Sequence, residues 1–182
     1  GGAALDGMDL DPDGLRRAHE FGEVARTAAG DDPAVRALLS RIDGADKSVK
    51  LDQLGEREFA AGRMGGEKEG EGALAYFREA QRNRPGDARA GQGLAAIEST
   101  MIRRAEDAAA KADFPESDRW LALADKVRPG SSTVPDARQR IAMVRTLRVN
   151  GLRDDGMAAL MREGGLPKAR RILSDMLLIA AP

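Results

Sequence analysis

The chain has 182 residues, of which 32% are charged and only 3% aromatic, with 21 glycines, 8 prolines and no cysteine. That composition suits an alanine-rich helical protein and argues against a sheet protein, which would draw on β-branched and aromatic residues. A net charge of −1 removes nucleic acid as a partner of the whole chain, and the lack of cysteine removes disulfides and thiolate metal sites.

Charge is unevenly spread. From Leu121 to Pro182 there are 11 Lys and Arg against 6 Asp and Glu, leaving 18 against 24 in the rest. No run is long enough to span a bilayer, so no direct membrane insertion is expected. The arginine- and alanine-rich usage associates with GC-rich bacterial genomes. The compartment stays open between cytoplasm and a periplasmic domain of a tethered protein.

Taken in order, residues 1–13 read as an acidic N-terminal loop, and residues 14–182 as one helical domain. Leu15–Ala29 is helical. Gly30-Asp31-Asp32-Pro33 stops that helix and starts the next, with Asp32 as a cap and Pro33 at the first helical position. Ala34–Ile42 continues as helix, Asp43-Gly44-Ala45-Asp46 is a break, and helix resumes from Ser48 to Ala61. Arg63–Gly72 is a glycine- and glutamate-rich loop, which reads as a flexible insertion. Ala73–Asn83 is helical. Pro85-Gly86-Asp87 then turns the chain and offers Asp87 as a cap for the long helix Ala88–Ala112. Asp113-Phe114-Pro115 is a turn, Ser117–Val127 a helix and Pro129–Pro135 a loop. Asp136–Val149 is helical, with Ile141, Val144 and Leu147 on one side. Asn150-Gly151 and Asp154-Asp155-Gly156 are turn signals that isolate a short helix Met157–Arg162, and Lys168–Ile179 is the last helix.

One design recurs. Small, large and small residues followed by proline stand at Ala73, Phe77, Ala80 and Pro85, and again at Ser117, Leu121, Ala124 and Pro129. A third copy runs Ala169, Leu173, Met176 and Ala181, with Pro182 one place late. Offsets of four and seven place each set on one helix face. Ala112-Asp113-Phe114-Pro115-Glu116-Ser117 and Gly164-Gly165-Leu166-Pro167-Lys168-Ala169 form similar turns, with Ala105 a further small residue upstream of the first.

These residues resemble the tetratricopeptide repeat, a 34-residue helix–turn–helix unit. The copies depart from it in spacing, with Ala73, Ser117 and Ala169 lying 44 and 52 apart. The resemblance implies an all-α, right-handed α-solenoid of about three such units, approximately 33–87, 88–131 and 132–182, after an N-terminal helix. It also implies a non-enzymatic protein–protein interaction scaffold that binds a protein or peptide segment in a concave groove. By position, the groove residues would be Val49, Asp52, Glu56, Phe59, Ser99, Ile102, Glu106 and Ala109, with Met161 and Arg162 in the third unit. The alternative is a regulatory or sensor domain of a larger, membrane-anchored bacterial enzyme.

No stretch supports catalysis, a metal or a cofactor. His19-Glu20 lacks the second histidine of a zinc helix, and the chain has no other His. Gly65-Gly66-Glu67-Lys68-Glu69-Gly70 lacks the ending of a phosphate loop, and its glutamates would repel phosphate. Gly91-Gln92-Gly93 marks close helix packing. Asp154-Asp155 reads as a turn, and Trp120 as core or groove wall. Leu178 and Ile179, near the open end of the last helix, are expected either to tuck against Met157 and Leu160 or to meet a continuation of the protein or a second chain, which would be self-association through the C-terminal helix.

Overall fold

In the computed structural model, residues 12–66, 68, 70–162 and 164–180 are described, and among them every regular element is an α-helix. The elements are α1 (Pro12–Ala29), α2 (Pro33–Ala60), α3 (Gly72–Asn83), α4 (Ala88–Ala110), α5 (Phe114–Val127), α6 (Thr133–Leu160) and α7 (Leu166–Ala180). The expected N-terminal loop lies outside the described residues except for Pro12 and Asp13, which open α1. Packing divides the chain into two compact units, residues 1–97 and 98–182, and the division falls inside α4.

In the first unit α2 runs unbroken for 28 residues, which corrects the expected break at Asp43–Asp46. Asp32 starts it as predicted, its side chain accepting the Ala34 amide at 2.7 Å, with Pro33 next. Gly44 is not a helix stop. A Cβ there would lie 2.7 Å from the Asn83 carbonyl, so glycine lets the end of α3 approach. The buried residues Ile42, Ala45, Ser48, Asp52 and Gly55 drift around α2 by roughly 140° at 3.6 residues per turn. One straight helix therefore serves two neighbours. Its first half meets α1 through Leu38, Ile42 and Ala45 against Leu15 and Ala18. Its second half meets α3 antiparallel, where Phe77 lies over Gly55.

Phe77 is the centre of this unit. It is fully buried, and a Cβ at Gly55 would come within 2.7 Å of its ring. A Cβ at Gly93, at the start of α4, would come closer still. Gly93 thus does mark close packing. The Arg63–Gly72 loop is tied down at both ends of its turn. Ala73 and Leu74 donate backbone hydrogen bonds to the Arg63 and Met64 carbonyls at 2.9 Å, and Met64 is buried.

In the second unit α5 begins at Phe114, earlier than expected, because Asp113 caps it by accepting the Glu116 amide at 3.2 Å. Asp113 also follows a left-handed residue, which ends α4. α5 and α6 lie antiparallel, joined by Arg138 to Asp125 at 3.4 Å and Arg145 to Asp118 at 2.7 Å. The Arg145 guanidinium also sits 4.7 Å over the Phe114 ring. α6 is again continuous for 28 residues, so neither Asn150-Gly151 nor Asp154-Asp155-Gly156 turns the chain. Gly156 instead receives the Leu173 side chain of α7, 3.0 Å from where its Cβ would stand. Pro135 falls within the first turn of α6, where the missing amide costs nothing.

The expected stripe of Ile141, Val144 and Leu147 is also corrected. Ile141 is buried, but Val144 and Leu147 are exposed. The continuous helix buries Ile141, Gly156 and Ala159, and that line excludes Leu147.

The last residue before each of three helix-to-helix turns has positive φ: Gly62 at 77°, Ala112 at 63° and Gly164 at 68°. Ala112 is the one non-glycine residue with positive φ among those described. Its Cβ crowds the backbone there at a cost of roughly 1–2 kcal/mol. Replacing Ala112 by Gly relieves that strain but adds freedom to the unfolded chain. The expected net gain is about 0.5–1 kcal/mol, seen as a higher midpoint in denaturant unfolding. Ala112→Val, β-branched at the same φ, should lower it.

Candidate functional site

Both units contain a buried acid at a helix junction, set by the same turn. Arg84-Pro85-Gly86-Asp87 and Arg128-Pro129-Gly130-Ser131 stand 44 residues apart. Each arginine ends a helix with nearly the same backbone, φ −138° and ψ 89° at Arg84 against −134° and 80° at Arg128. Each glycine is left-handed, at 87° and 84°.

In the first unit the turn delivers Asp87 to the head of α4. Its Oδ1 accepts the Arg89 and Ala90 amides at 3.0 and 3.2 Å, which confirms the cap. Its Oδ2 accepts a short hydrogen bond from the Ser48 hydroxyl of α2, and Arg84 Nη1 stands 3.7 Å away. One turn along α2, Asp52 is 2% exposed, and its Oδ1 has no hydrogen-bond partner. Burial first, then the charge of Asp87, pushes the Asp52 carboxyl from 3.8 up to about 7, with Arg89 opposing. Arg89 is itself held by Glu56, at 2.5 and 2.7 Å. Ser48 and Asp52 are sealed from solvent, so neither is open to a bound substrate.

In the second unit the buried acid sits on α4. Glu98 is 1% exposed and accepts from Arg128 Nη1 at 2.9 Å and Thr133 Oγ1 at 2.8 Å. Ser131 supports Thr133, their hydroxyls 2.7 Å apart. The sequence reading missed this joint. Its signal was the repeated Arg-Pro-Gly, read above only as a turn.

The eight groove residues fall into two classes. On α2, Val49 and Phe59 are half-buried and Glu56 is exposed but paired with Arg89, while Asp52 is buried. On α4, Ser99 is exposed and Glu106 half-buried, accepting from Arg140 at 2.6 and 2.9 Å. Ile102 and Ala109 are buried. Asp52, Ile102 and Ala109 are thus part of the packing of the helices. A seven-residue helical offset describes which side a residue faces but not what already covers that side. In the third unit Met161 and Arg162 are both exposed.

Other stretches take plain structural roles. His19 Nε2 lies 2.8 Å from Asp46 Oδ2 and ties α1 to α2. Trp120 is half-buried with the Arg104 and Arg119 guanidiniums 4.8 and 4.9 Å from its ring centre. It walls a shallow depression of about 470 Å³ whose rim alternates Arg104 and Lys111 with Asp107, Asp113 and Glu116. Two bases against three acids leave the rim with only a small net negative charge. No group of three or more metal-ligating side chains gathers among the described residues.

Among the described residues, α6 and the residue that follows it carry two exposed apolar pairs, Met143 with Leu147 and Met157 with Met161, with the exposed Asn150 and Asp154 between them. Met143, Leu147, Met157 and Met161 are 50–82% exposed. They stand roughly 180° around the helix from the face holding Ile141, Gly156 and Ala159. On α7, Leu177 and Leu178 are also mostly exposed and Ile179 is half-buried. Arg148, Arg162, Lys168, Arg170 and Arg171 on and between these helices pair with no acid among the described residues. No helix is long and apolar enough to cross a membrane among the described residues.

Comparison with protein-family models, characterised proteins and solved structures finds no match to this chain.

The Glu98 joint should be costly to break. Glu98→Ala removes the buried acceptor shared by Arg128 and Thr133, and Arg128, 44% exposed, turns to water. A loss of about 1–3 kcal/mol is expected in denaturant unfolding. Glu98→Gln keeps an acceptor for Thr133 and should lose less. Equal losses for the two variants would mean that the hydrogen bond to Thr133 contributes nothing.

Proposed function

We propose that the chain is a tetratricopeptide-like helical repeat protein acting as a non-enzymatic scaffold, and that α6 is its principal contact for a partner. The repeat reading is supported by one packing rule met twice. Gly55 receives Phe77 and Gly156 receives Leu173. Close helix approach needs a small residue facing a large one.

The observation that carries the scaffold reading is the outer face of α6. Four large apolar side chains are turned to water on a helix whose opposite face is fully engaged. Methionine-rich faces of this kind adapt to an incoming helix, which lays its own apolar side chains along them. The unpaired cations of α6 and α7 select the partner's rim. The favoured occupant is an amphipathic helix of another protein with acidic residues flanking its apolar stripe.

Magnitudes set the affinity. Burying four such side chains is worth at most about 6–12 kcal/mol gross. Association costs about 4–15 kcal/mol. At the most favourable ends the surplus is about 8 kcal/mol, so micromolar binding is the upper limit and a permanent complex is not expected.

A test uses helical peptides with one apolar stripe and either acidic or basic rims, followed by fluorescence anisotropy. Acidic-rim peptides should bind at micromolar concentration, weaken several-fold in high salt and fail to bind Leu147→Asp protein. Equal binding of basic-rim peptides would defeat the charge argument. No binding by either set, or binding untouched by Leu147→Asp, would remove α6 as the contact.

A further inference from the structure

We propose that Asp52 and Asp87 hold a single proton between them, and that losing it unseats the first turn of α4 from α2, making this junction a pH-operated joint.

The geometry assigns the proton. Asp87 has every mark of the ionised partner. One oxygen accepts two amides at the head of α4, and the other accepts the Ser48 hydroxyl, with Arg84 nearby. The helix N-terminus favours negative charge at that place. Asp52 has nothing to satisfy a charge. It is buried, one oxygen is unpartnered, and its side-chain hydrogen bond is to Asp87. Two carboxylates in such contact cannot both be ionised cheaply. Asp52 is therefore the donor and Asp87 the acceptor.

The charged groups acting on Asp52 are Asp87 and Arg89 of the α4 end and Glu56 of α2 itself, while Arg84 reaches from the end of α3 to Asp87. Arg89 opposes the shift only in part, because its Nε and Nη2 donate to Glu56. The joint is thus closed on all sides and can relieve a second negative charge only by moving. The cheapest movement swings Asp87 away from α2. That gives up the Ser48 bond and the cap on Arg89 and Ala90 together.

The direction follows from the raised value near 7. The folded joint prefers the protonated acid, so its contribution is complete below the ordinary carboxylate range. It is lost as pH rises from about 4 through about 7. The junction is firmest in acid and loosens as pH rises toward neutrality, which is opposite to a salt-bridged acid.

The experiment combines carbon NMR of the Asp52 carboxyl with amide hydrogen exchange at Arg89 and Ala90 from mild acid to mild alkali. Asp52 should titrate near neutrality. Protection of the two amides, corrected for intrinsic exchange, should fall by up to about tenfold per pH unit between about 4 and about 7 and level off above that. Asp52→Asn keeps a hydrogen-bond donor without a titration, and its protection should not change with pH. An Asp52 midpoint in the ordinary carboxylate range, or the same pH-dependent loss in Asp52→Asn, overturns the proposal. Should that variant fail to fold, the wild-type midpoint and protection curve decide alone. Ser48→Ala, which weakens the seat directly, should lower protection at every pH without moving the midpoint.

Discussion

Close approach of helices over glycine is the constraint on which the rest of the structure depends. Phe77 can be fully buried only because Gly55 and Gly93 have no side chains. A methyl group at either place would overlap the ring. Glycine inside a helix costs roughly 1 kcal/mol relative to alanine. Burying a phenylalanine and avoiding overlap more than offsets that. In the second unit Gly156 plays the same part for Leu173. The helix α6 persists through its glycines because tertiary contact outweighs local preference.

Once the helices are that close, their polar ends meet in the dry. The Arg-Pro-Gly turns bring a helix head against a buried acid in both units, and each unit satisfies the acid differently. Glu98 is fully supplied, by an arginine and a threonine. Asp87 is fully supplied too, but it stands beside a second acid that is not. The two junctions share a backbone plan and differ in one respect, the presence of an unsatisfied carboxyl. That difference makes the first junction responsive to protons and the second merely firm.

The same packing explains what is left outside. α2 has neighbours along both halves because its buried residues wind around it. α6 holds its buried residues to one side, against α5 and α7, and its methionines remain on the other. An apolar face that the fold itself does not use is an argument for interaction, whereas the buried groove candidates Ile102 and Ala109 are arguments for stability.

The sequence by itself determined that the chain is helical, where most helices begin, and which small and large residues share a helix face. Asp32, Asp87 and the Ala73-Phe77-Ala80 set are local signals, readable because a cap or a 3.6-residue period lies within one element. Only the tertiary structure decided that α2 and α6 run unbroken, since Gly44 and Gly156 carry the same local signal as a turn. Only it separated buried Asp52 from exposed Glu56, four residues apart on one helix. Periodicity records which side of a helix a residue faces. Whether that side meets water, a ring or another carboxyl depends on residues distant in the chain, and no local pattern encodes them.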